Sequence, residues 1–112
     1  MPPEGSVLAR LKGSAPVFAA LGDETRLRLV ARLCNRGPTS ISNLVSASRV
    51  TRQAVAKHLR VMERAGLVRG SRRGRESIWE LETRRLEVAR AYLESISSNW
   101  DGALDRLRKF VE

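Results

Sequence analysis

The last third of the chain carries an apolar residue at every third or fourth position, and this spacing constrains the fold more than any other feature. The intervals alternate between three and four over eight positions, namely Leu86, Ala89, Leu93, Ile96, Trp100, Ala103, Leu107 and Phe110. Such alternation places every member on one stripe of an α-helix and is typical of helices that meet a partner helix. The sequence therefore predicts a long helix over about residues 84–111.

This helix is long for a chain of 112 residues. At about 1.5 Å per residue it spans roughly 40 Å, which is more than the core of a small domain covers by itself. A helix that folds back wholly within one monomer is the alternative, but a short chain buries only a modest fraction of its surface. We therefore predict that part of the stripe contacts a second copy of the chain.

Two shorter helices are predicted in the first third of the chain. The segment Met1–Ser14 holds two prolines and two glycines with few apolar anchors, so we interpret it as a mobile arm and residues 15–112 as one domain. Pro16 suits the first turn of a helix that ends at Gly22, and Asp23 suits the cap of a second helix. The predicted apolar stripe of this second helix consists of Leu27, Val30, Ala31 and Cys34.

The middle of the chain has the pattern of a helix-turn-helix. Thr39 or Ser40 can cap a short helix, and residues 46–50 make the turn after it. Thr51 then caps a further helix. Its inward positions recur at intervals of four and three, at Val55, Leu59 and Met62. Its opposite side is predicted to face solvent and carries Arg52, Gln53, Ala56, Lys57 and Arg60.

A basic hairpin is predicted after this helix. Gly66 ends the helix, and Leu67–Arg69 can pair with Ser77–Leu81 as two antiparallel strands. The stretch Gly70–Arg75 between them forms the tip, which holds three arginines, Arg72, Arg73 and Arg75. The sequence thus predicts a mainly α fold with a small β-hairpin wing, a winged helix-turn-helix.

The positive charge of the chain is concentrated in these two elements. Residues 49–75 hold nine basic residues against one acidic residue, while the whole chain has a formal net charge of +9. Clustered positive charge attracts the phosphate backbone of nucleic acid, although a membrane-surface helix or a merely solvated face would also show it. The motifs favour double-stranded DNA, because the second helix of a helix-turn-helix lies in the major groove.

Side chains on that second helix have the chemistry needed to read bases. Gln53 matches the N6/N7 edge of adenine, and Arg52 or Lys57 matches the O6/N7 edge of guanine. Ala56 offers an apolar contact to a thymine methyl group. The predicted contacts to the DNA backbone come from Thr51 and Arg60 on the helix. On the wing, Arg72, Arg73 and Arg75 can enter a minor groove or bind phosphates.

Other classes of function lack the residues that they need. One histidine and one cysteine cannot build a catalytic triad, a structural zinc site or an intrachain disulfide, and there is no glycine-rich phosphate loop. We therefore expect no enzyme activity, no metal and no cofactor. His58 is interpreted as a packing or phosphate-contact residue, and Cys34 as a core residue. Without a membrane-spanning apolar run or a signal peptide, the chain is expected in the cytoplasm.

Two stretches resemble the ArsR/SmtB family of winged helix-turn-helix repressors, LGDETRLRLVARL at Leu21–Leu33 and VTRQAVAKHLRVMERAGLV at Val50–Val68. The similarity continues through GRESIWEL at Gly74–Leu81 and into the terminal helix. It implies a homodimer, joined through the first and last helices, that binds a palindromic operator and is released by an effector. The interface implied in this way comprises Val17, Phe18, Leu86, Leu93, Ile96, Trp100, Leu107 and Phe110.

The sequence departs from the metal-sensing members of that family. The region Ser40–Ser48 has no cysteine and the terminal helix has no histidine, so the ligand sets that the resemblance would supply are missing. The terminal helix holds Glu87, Glu94, Asp101 and Asp105, which we interpret as solvated carboxylates. The effector is therefore left open between a small molecule, a partner protein and none.

Two alternatives to a sequence-specific repressor stay open at this point. An architectural protein that coats DNA with low specificity would use the same charge, but Gln53 on the reading face argues against it. A protein-interaction module would fit Ala56, which stands where relatives often have a serine that contacts DNA, but the basic residues speak against it.

Overall fold

Within the described residues, five helices and one small sheet make up the fold. The computed structural model describes residues 4–111, and the side chains of residues 12–111. The elements are α1 (Glu4–Leu21), α2 (Glu24–Arg36), β1 (Thr39–Ser40), α3 (Ile41–Ser46), α4 (Arg52–Arg64), β2 (Val68–Arg73), β3 (Glu76–Leu81) and α5 (Thr83–Val111). The strands form an antiparallel sheet in the order β1–β3–β2. The predicted class, mainly helical with a small β wing, is confirmed.

Three helices begin at side-chain caps, as the sequence predicts. The carboxylate of Asp23 accepts a hydrogen bond from the backbone N–H of Arg26 at 3.0 Å. The hydroxyls of Ser40 and Thr51 cap α3 and α4 in the same way, each 3.2 Å from a backbone nitrogen three residues further on. Gly37 closes α2 with a φ of 74°, a conformation that costs glycine little. These local signals fix where the central helices start and stop.

The first helix begins much earlier than predicted. α1 passes through Pro16, so the predicted start at Pro16 is wrong, and residues 4–14 of the predicted mobile arm are helical. Met1–Pro3, the rest of that arm, lie outside the described residues. A proline inside a helix removes a backbone hydrogen bond. Packing offsets the loss, because Val17, next to the proline, is wholly buried and α1 lies alongside α5.

The buried face of α2 also differs from the prediction. Leu29 and Leu33 enter the core, whereas three members of the predicted stripe, Leu27, Ala31 and Cys34, are exposed. Apolar residues occupy most positions from 27 to 34, so helical spacing alone does not select one face. Contacts of α2 with α1, α4 and β3 select it instead. The interpretation of Cys34 as a core residue is therefore wrong.

The core lies where the first four helices meet the sheet and the first turns of α5. Its buried side chains include Leu33, Leu44, Val55, Leu59, Met62 and Leu67. Ala89 is the one buried residue of α5 within the described range, and the ring of Tyr92 lies 6.2 Å from that of Phe18 on α1, centroid to centroid. Beyond Tyr92 most of α5 is exposed, and the molecule is elongated, with extents of 63 × 29 × 20 Å.

The wing is longer and more regular than predicted. β2 and β3 pair along their full length, so only Gly74 and Arg75 are left in the turn. Gly74 has a φ of 63°, which suits the first of the two loop residues in a type II′ hairpin. A third strand, β1, which the sequence did not predict, pairs Thr39 with Trp79 of β3. The wing is thereby joined to the start of α3.

Gly70 of the wing lies against the indole of its cross-strand partner, Trp79. A Cβ at position 70 would come within 3.0 Å of two carbon atoms of that ring. The Gly70→Ala variant is therefore expected to lower the free energy of unfolding, measured in urea, by about 1–3 kcal/mol. Gly13→Ala is the control, because its Cβ meets no described atom within 4 Å and alanine favours a helix. Equal decreases in both variants would contradict the close approach of Gly70 to Trp79.

Candidate nucleic-acid interface

The outward face of α4 presents a row of polar side chains. Four of them follow at intervals of four, three and four, and all are exposed: Gln53, Lys57, Arg60 and Arg64. Three apolar side chains on the opposite face have no exposed surface: Val55, Leu59 and Met62. Packing therefore fixes which side of α4 faces solvent, and the exposure predicted for Gln53, Lys57 and Arg60 is confirmed. Arg64 was missed, although extending the same spacing by one turn would have found it.

The other predicted contact residues of α4 lie at the margin of this row. Arg52 is exposed, and its Nη1 lies 3.4 Å from Oγ of Ser42 on α3. Oγ1 of Thr51 is already engaged as the cap of α4. Ala56 is half-buried and packs against the core, so it offers less surface than predicted.

His58 points toward the start of α2. Its Nδ1 lies 3.2 Å from Nη1 of Arg26 and 4.0 Å from Oδ2 of Asp23. A guanidinium can only donate, so Nδ1 of His58 is the acceptor in this hydrogen bond. Nε of Arg26 also donates to the backbone carbonyl of Ala20 at 2.6 Å. Of the two interpretations of His58, the structure favours packing, because this cluster ties α4 to α1 and α2.

The Asp23 carboxylate in this cluster is expected to make stability sensitive to acid. The hydrogen bond from the Arg26 backbone N–H holds the pKa of Asp23 below its ordinary value of 3.8. A carboxyl group with a lower pKa in the folded state adds stability above pH 3.8, and this contribution is lost as the pH falls through the folded value. Asparagine keeps the cap without the charge. Urea unfolding across acidic pH should therefore show a shallower loss of stability in Asp23→Asn, and parallel profiles would contradict this.

The arginine at the base of the wing forms ion pairs with carboxylates, whereas the arginines near its tip form none among the described residues. At the base, Arg69 donates to Glu80 at 2.7 Å and lies 3.5 Å from Glu82. The hydrogen bond to Glu80 raises the pKa of Arg69 above its ordinary value. Three arginines nearer the tip are exposed and form no ion pair with any carboxylate of the described residues: Arg72, Arg73 and Arg75. The tip therefore presents uncompensated positive charge.

Helix α4 and the wing are closely joined. Residues 65–67 alone separate the end of α4 from the start of β2, and the two elements pack against each other. Gly66, in this connection, has a φ of 79°, which permits the sharp change of direction. The exposed row of α4 and the basic wing therefore belong to one packed unit.

Comparison with known proteins identifies the family. A helix-turn-helix domain model matches residues 21–71, which contain α2, α3 and α4. The HTH-type transcriptional regulator YuzN of Bacillus subtilis is 40% identical over 65 residues, which cover 53% of this chain and 71% of that protein. The solved structure of an ArsR-like transcriptional regulator from Rhodococcus sp. RHA1 is 36% identical, with 91% of this chain and 95% of that chain covered and a TM-score of 0.76. The chain belongs to the ArsR family.

Membership of the ArsR family confirms the resemblance predicted from the sequence and makes this chain a DNA-binding transcriptional regulator. A further relative, the arsenical resistance operon repressor of Bacillus subtilis, is 33% identical over 57% of this chain and 61% of that protein. Regulation of transcription is not an enzymatic role. The exposed row of α4 and the wing are thus the candidate DNA-binding surface of this ArsR-family chain.

The apolar stripe on α5 of this ArsR-family chain divides into two parts. Leu86 and Ala89 pack against the core of the monomer. Between Leu93 and Phe110, five large apolar side chains are more than half exposed, namely Leu93, Trp100, Leu104, Leu107 and Phe110, and Val111 at the end of the helix is exposed as well. Ile96 and Phe18 are half-buried. Val17 has no exposed surface, so its predicted place at a subunit interface is wrong. Leu104 was missed because it lies outside the strict three-four spacing.

The acidic residues of α5 in this ArsR-family chain face solvent or basic neighbours. Glu87 and Glu94 both pair with Arg90, and Asp101 and Asp105 are exposed. Within residues 12–111, whose side chains the structure describes, no three His, Cys, Asp or Glu side chains form a group that could hold a metal ion. The absence of a metal and a cofactor stays a prediction. No helix of this described range is long and apolar enough to cross a membrane.

Proposed function

We propose that this ArsR-family regulator is a homodimeric repressor that inserts α4 of each subunit into the major groove of a palindromic operator. The observation that carries the proposal is the exposed row of α4, formed by Gln53, Lys57, Arg60 and Arg64, beside a basic wing. Gln53 and Lys57 lie nearest the helix N-terminus, the end of a recognition helix that meets base edges. Their amide and ammonium groups suit adenine and guanine respectively. Arg60 would bind the DNA backbone, and the wing arginines would bind phosphates at the adjacent minor groove and reach into that groove.

The exposed part of α5 supports the homodimer. Soluble monomers rarely expose large contiguous apolar patches, and the side chains from Leu93 to Phe110 supply one on a single helix. A second copy that covers this patch through a two-fold interface would bring the same five side chains to its centre. The two copies of α4 would then be related by the same axis. Such a dimer matches an operator with an inverted repeat.

Repression is supported by the relative that is named as an arsenical resistance operon repressor. A repressor of this kind would act in the cytoplasm, in contact with the chromosome. The effector that releases it would be a small molecule or a partner protein, since the usual metal ligands of the family are missing from α3 and α5. Occupation of the operator by the dimer would itself block transcription.

Selection of bound fragments from a pool of random DNA duplexes tests this proposal. The expected result is an enriched inverted repeat whose half-sites lie about one helical turn, roughly 34 Å, apart. An architectural protein would retain fragments that share no sequence, because phosphate contacts carry no sequence information. A protein-interaction module would retain no fragments. Either of these two outcomes would overturn the proposal.

A further inference from the structure

A cleft of about 310 Å³ opens between α2 and the turn that joins α3 to α4. α2 lines it with Thr25, Arg28 and Arg32, and the turn lines it with Ser48 and Arg49. Apolar side chains of α2, α3 and the turn form the remaining wall. Three arginines thus converge on one concavity, and no acidic residue of the described chain lines it.

The three arginines differ in how their charge is compensated. Arg28 pairs with Glu24, one turn earlier on α2, at 2.6 Å. Arg32 and Arg49 form no ion pair with any carboxylate in the described part of the chain. Nε of Arg32 is buried and has no hydrogen-bond partner among the described atoms. A buried donor without an acceptor costs free energy, so Arg32, which lines the cleft, has neither an ion pair for its charge nor an acceptor for its Nε.

We propose that this cleft binds an oxyanion, either a phosphate or a carboxylate group, with Arg32 as the principal donor. A guanidinium binds both groups through paired N–H···O hydrogen bonds, and Arg49 and the Ser48 hydroxyl lie on the opposite wall. The apolar wall suits the organic part of a small molecule. The oxyanion comes from one of two sources, a free small molecule or the DNA backbone beside α4.

The cleft lies next to the start of α4. Ser48 and Arg49 precede Thr51, the cap of α4, by three and two residues. Oγ of Ser48 accepts a hydrogen bond from the backbone N–H of Val50 at 3.2 Å, so a hydroxyl that lines the cleft also holds the turn. An oxyanion that engages this turn acts on the position of α4. The proposal rests on the DNA-binding role of α4 but not on the form of the operator.

Titration of inorganic phosphate into the DNA-free protein, followed by backbone amide NMR, is the first test. The wild type is expected to show saturable shifts at Thr25, Ser48 and Arg49. Arg36→Gln should behave in the same way, because Arg36 is exposed at the end of α2 and does not line the cleft. Arg32→Gln should bind phosphate at least about tenfold more weakly, since it loses charge-assisted hydrogen bonds. This result would show that the cleft binds a free anion.

The salt dependence of binding to a mixed-sequence duplex is the second test. If inorganic phosphate does not bind, Arg32→Gln is expected to make the plot of log K for DNA binding against log salt concentration less steep, by about one unit per subunit. Arg36→Gln is expected to change this slope less. This result assigns the oxyanion to the DNA backbone. If circular dichroism shows that Arg32→Gln is unfolded, Arg49→Gln replaces it in both tests. Wild-type behaviour of the cleft variants in both tests overturns the proposal.

Discussion

Replacement of Leu93 by aspartate is expected to convert the proposed dimer to a monomer. Leu93 is 51% exposed in the single chain, at the start of the apolar patch that continues through Trp100, Leu107 and Phe110. In a two-fold dimer each subunit would bury the new carboxylate without a partner. That burial costs at least about 3 kcal/mol, which is more than a hundredfold in the dissociation constant of the dimer. Sedimentation equilibrium at micromolar protein measures the change.

Ser98→Asp is the matched control for this experiment. Helical spacing places Ser98 on the side of α5 away from the apolar patch, and its side chain is exposed. It adds the same charge to the same helix and should leave the dimer intact. Trp100→Asp, on the patch, should act as Leu93→Asp does. A wild-type protein that sediments as a monomer, or a Leu93→Asp variant as dimeric as Ser98→Asp, would contradict the proposed interface.

Removal of side chains from α4 and from the wing is expected to change DNA binding in different ways. Gln53→Ala and Lys57→Ala should each cost about 1–3 kcal/mol on the selected operator, up to roughly 150-fold in affinity, and little on mixed-sequence DNA. The reason is that a side chain reading a base edge adds affinity only where the matching base is present. Fluorescence anisotropy with both duplexes at one salt concentration measures the difference.

Arg73→Ala provides the comparison on the wing. Arg73 is exposed at the end of β2 and has no carboxylate partner among the described side chains. Its removal should weaken binding to both duplexes alike. It should also make the plot of log K against log salt concentration less steep, by about one unit for each phosphate that is no longer neutralised. If Gln53→Ala and Lys57→Ala also weaken both duplexes alike, α4 does not read sequence, and low-specificity binding becomes the better account.

The parts of the fold that the sequence predicts are those that depend on neighbouring residues. Asp23, Ser40 and Thr51 cap their helices through a backbone group only three residues away, so the signal is complete within a few positions. The buried face of α4 can also be predicted from neighbouring positions. Apart from Val61, the large apolar residues of α4 are Val55, Leu59 and Met62, and these three recur at helical spacing. For the same reason the exposed row on the other side of α4 is predictable from Gln53 onward.

The parts that the sequence does not predict are decided by distant contacts. Proline favours the first turn of a helix, yet α1 continues through Pro16, where Val17 is buried and α1 packs along α5, a segment that lies about seventy residues away in the sequence. The segment β1 is two residues long and becomes a strand because β3, almost forty residues later, lies beside it. The role of His58 depends on Arg26 and Asp23 of another helix. No spacing within α4 contains that information.

Methylation protection on a selected operator fragment tests most directly whether α4 reads the major groove. Dimethyl sulfate modifies guanine N7, which lies in the major groove, and adenine N3, which lies in the minor groove. The account predicts that the wild-type protein protects guanine N7 in two patches about one helical turn apart, with adenine N3 protected beside them where the wing reaches the minor groove. A protein that binds the fragment tightly and leaves every guanine N7 as reactive as in free DNA would contradict it.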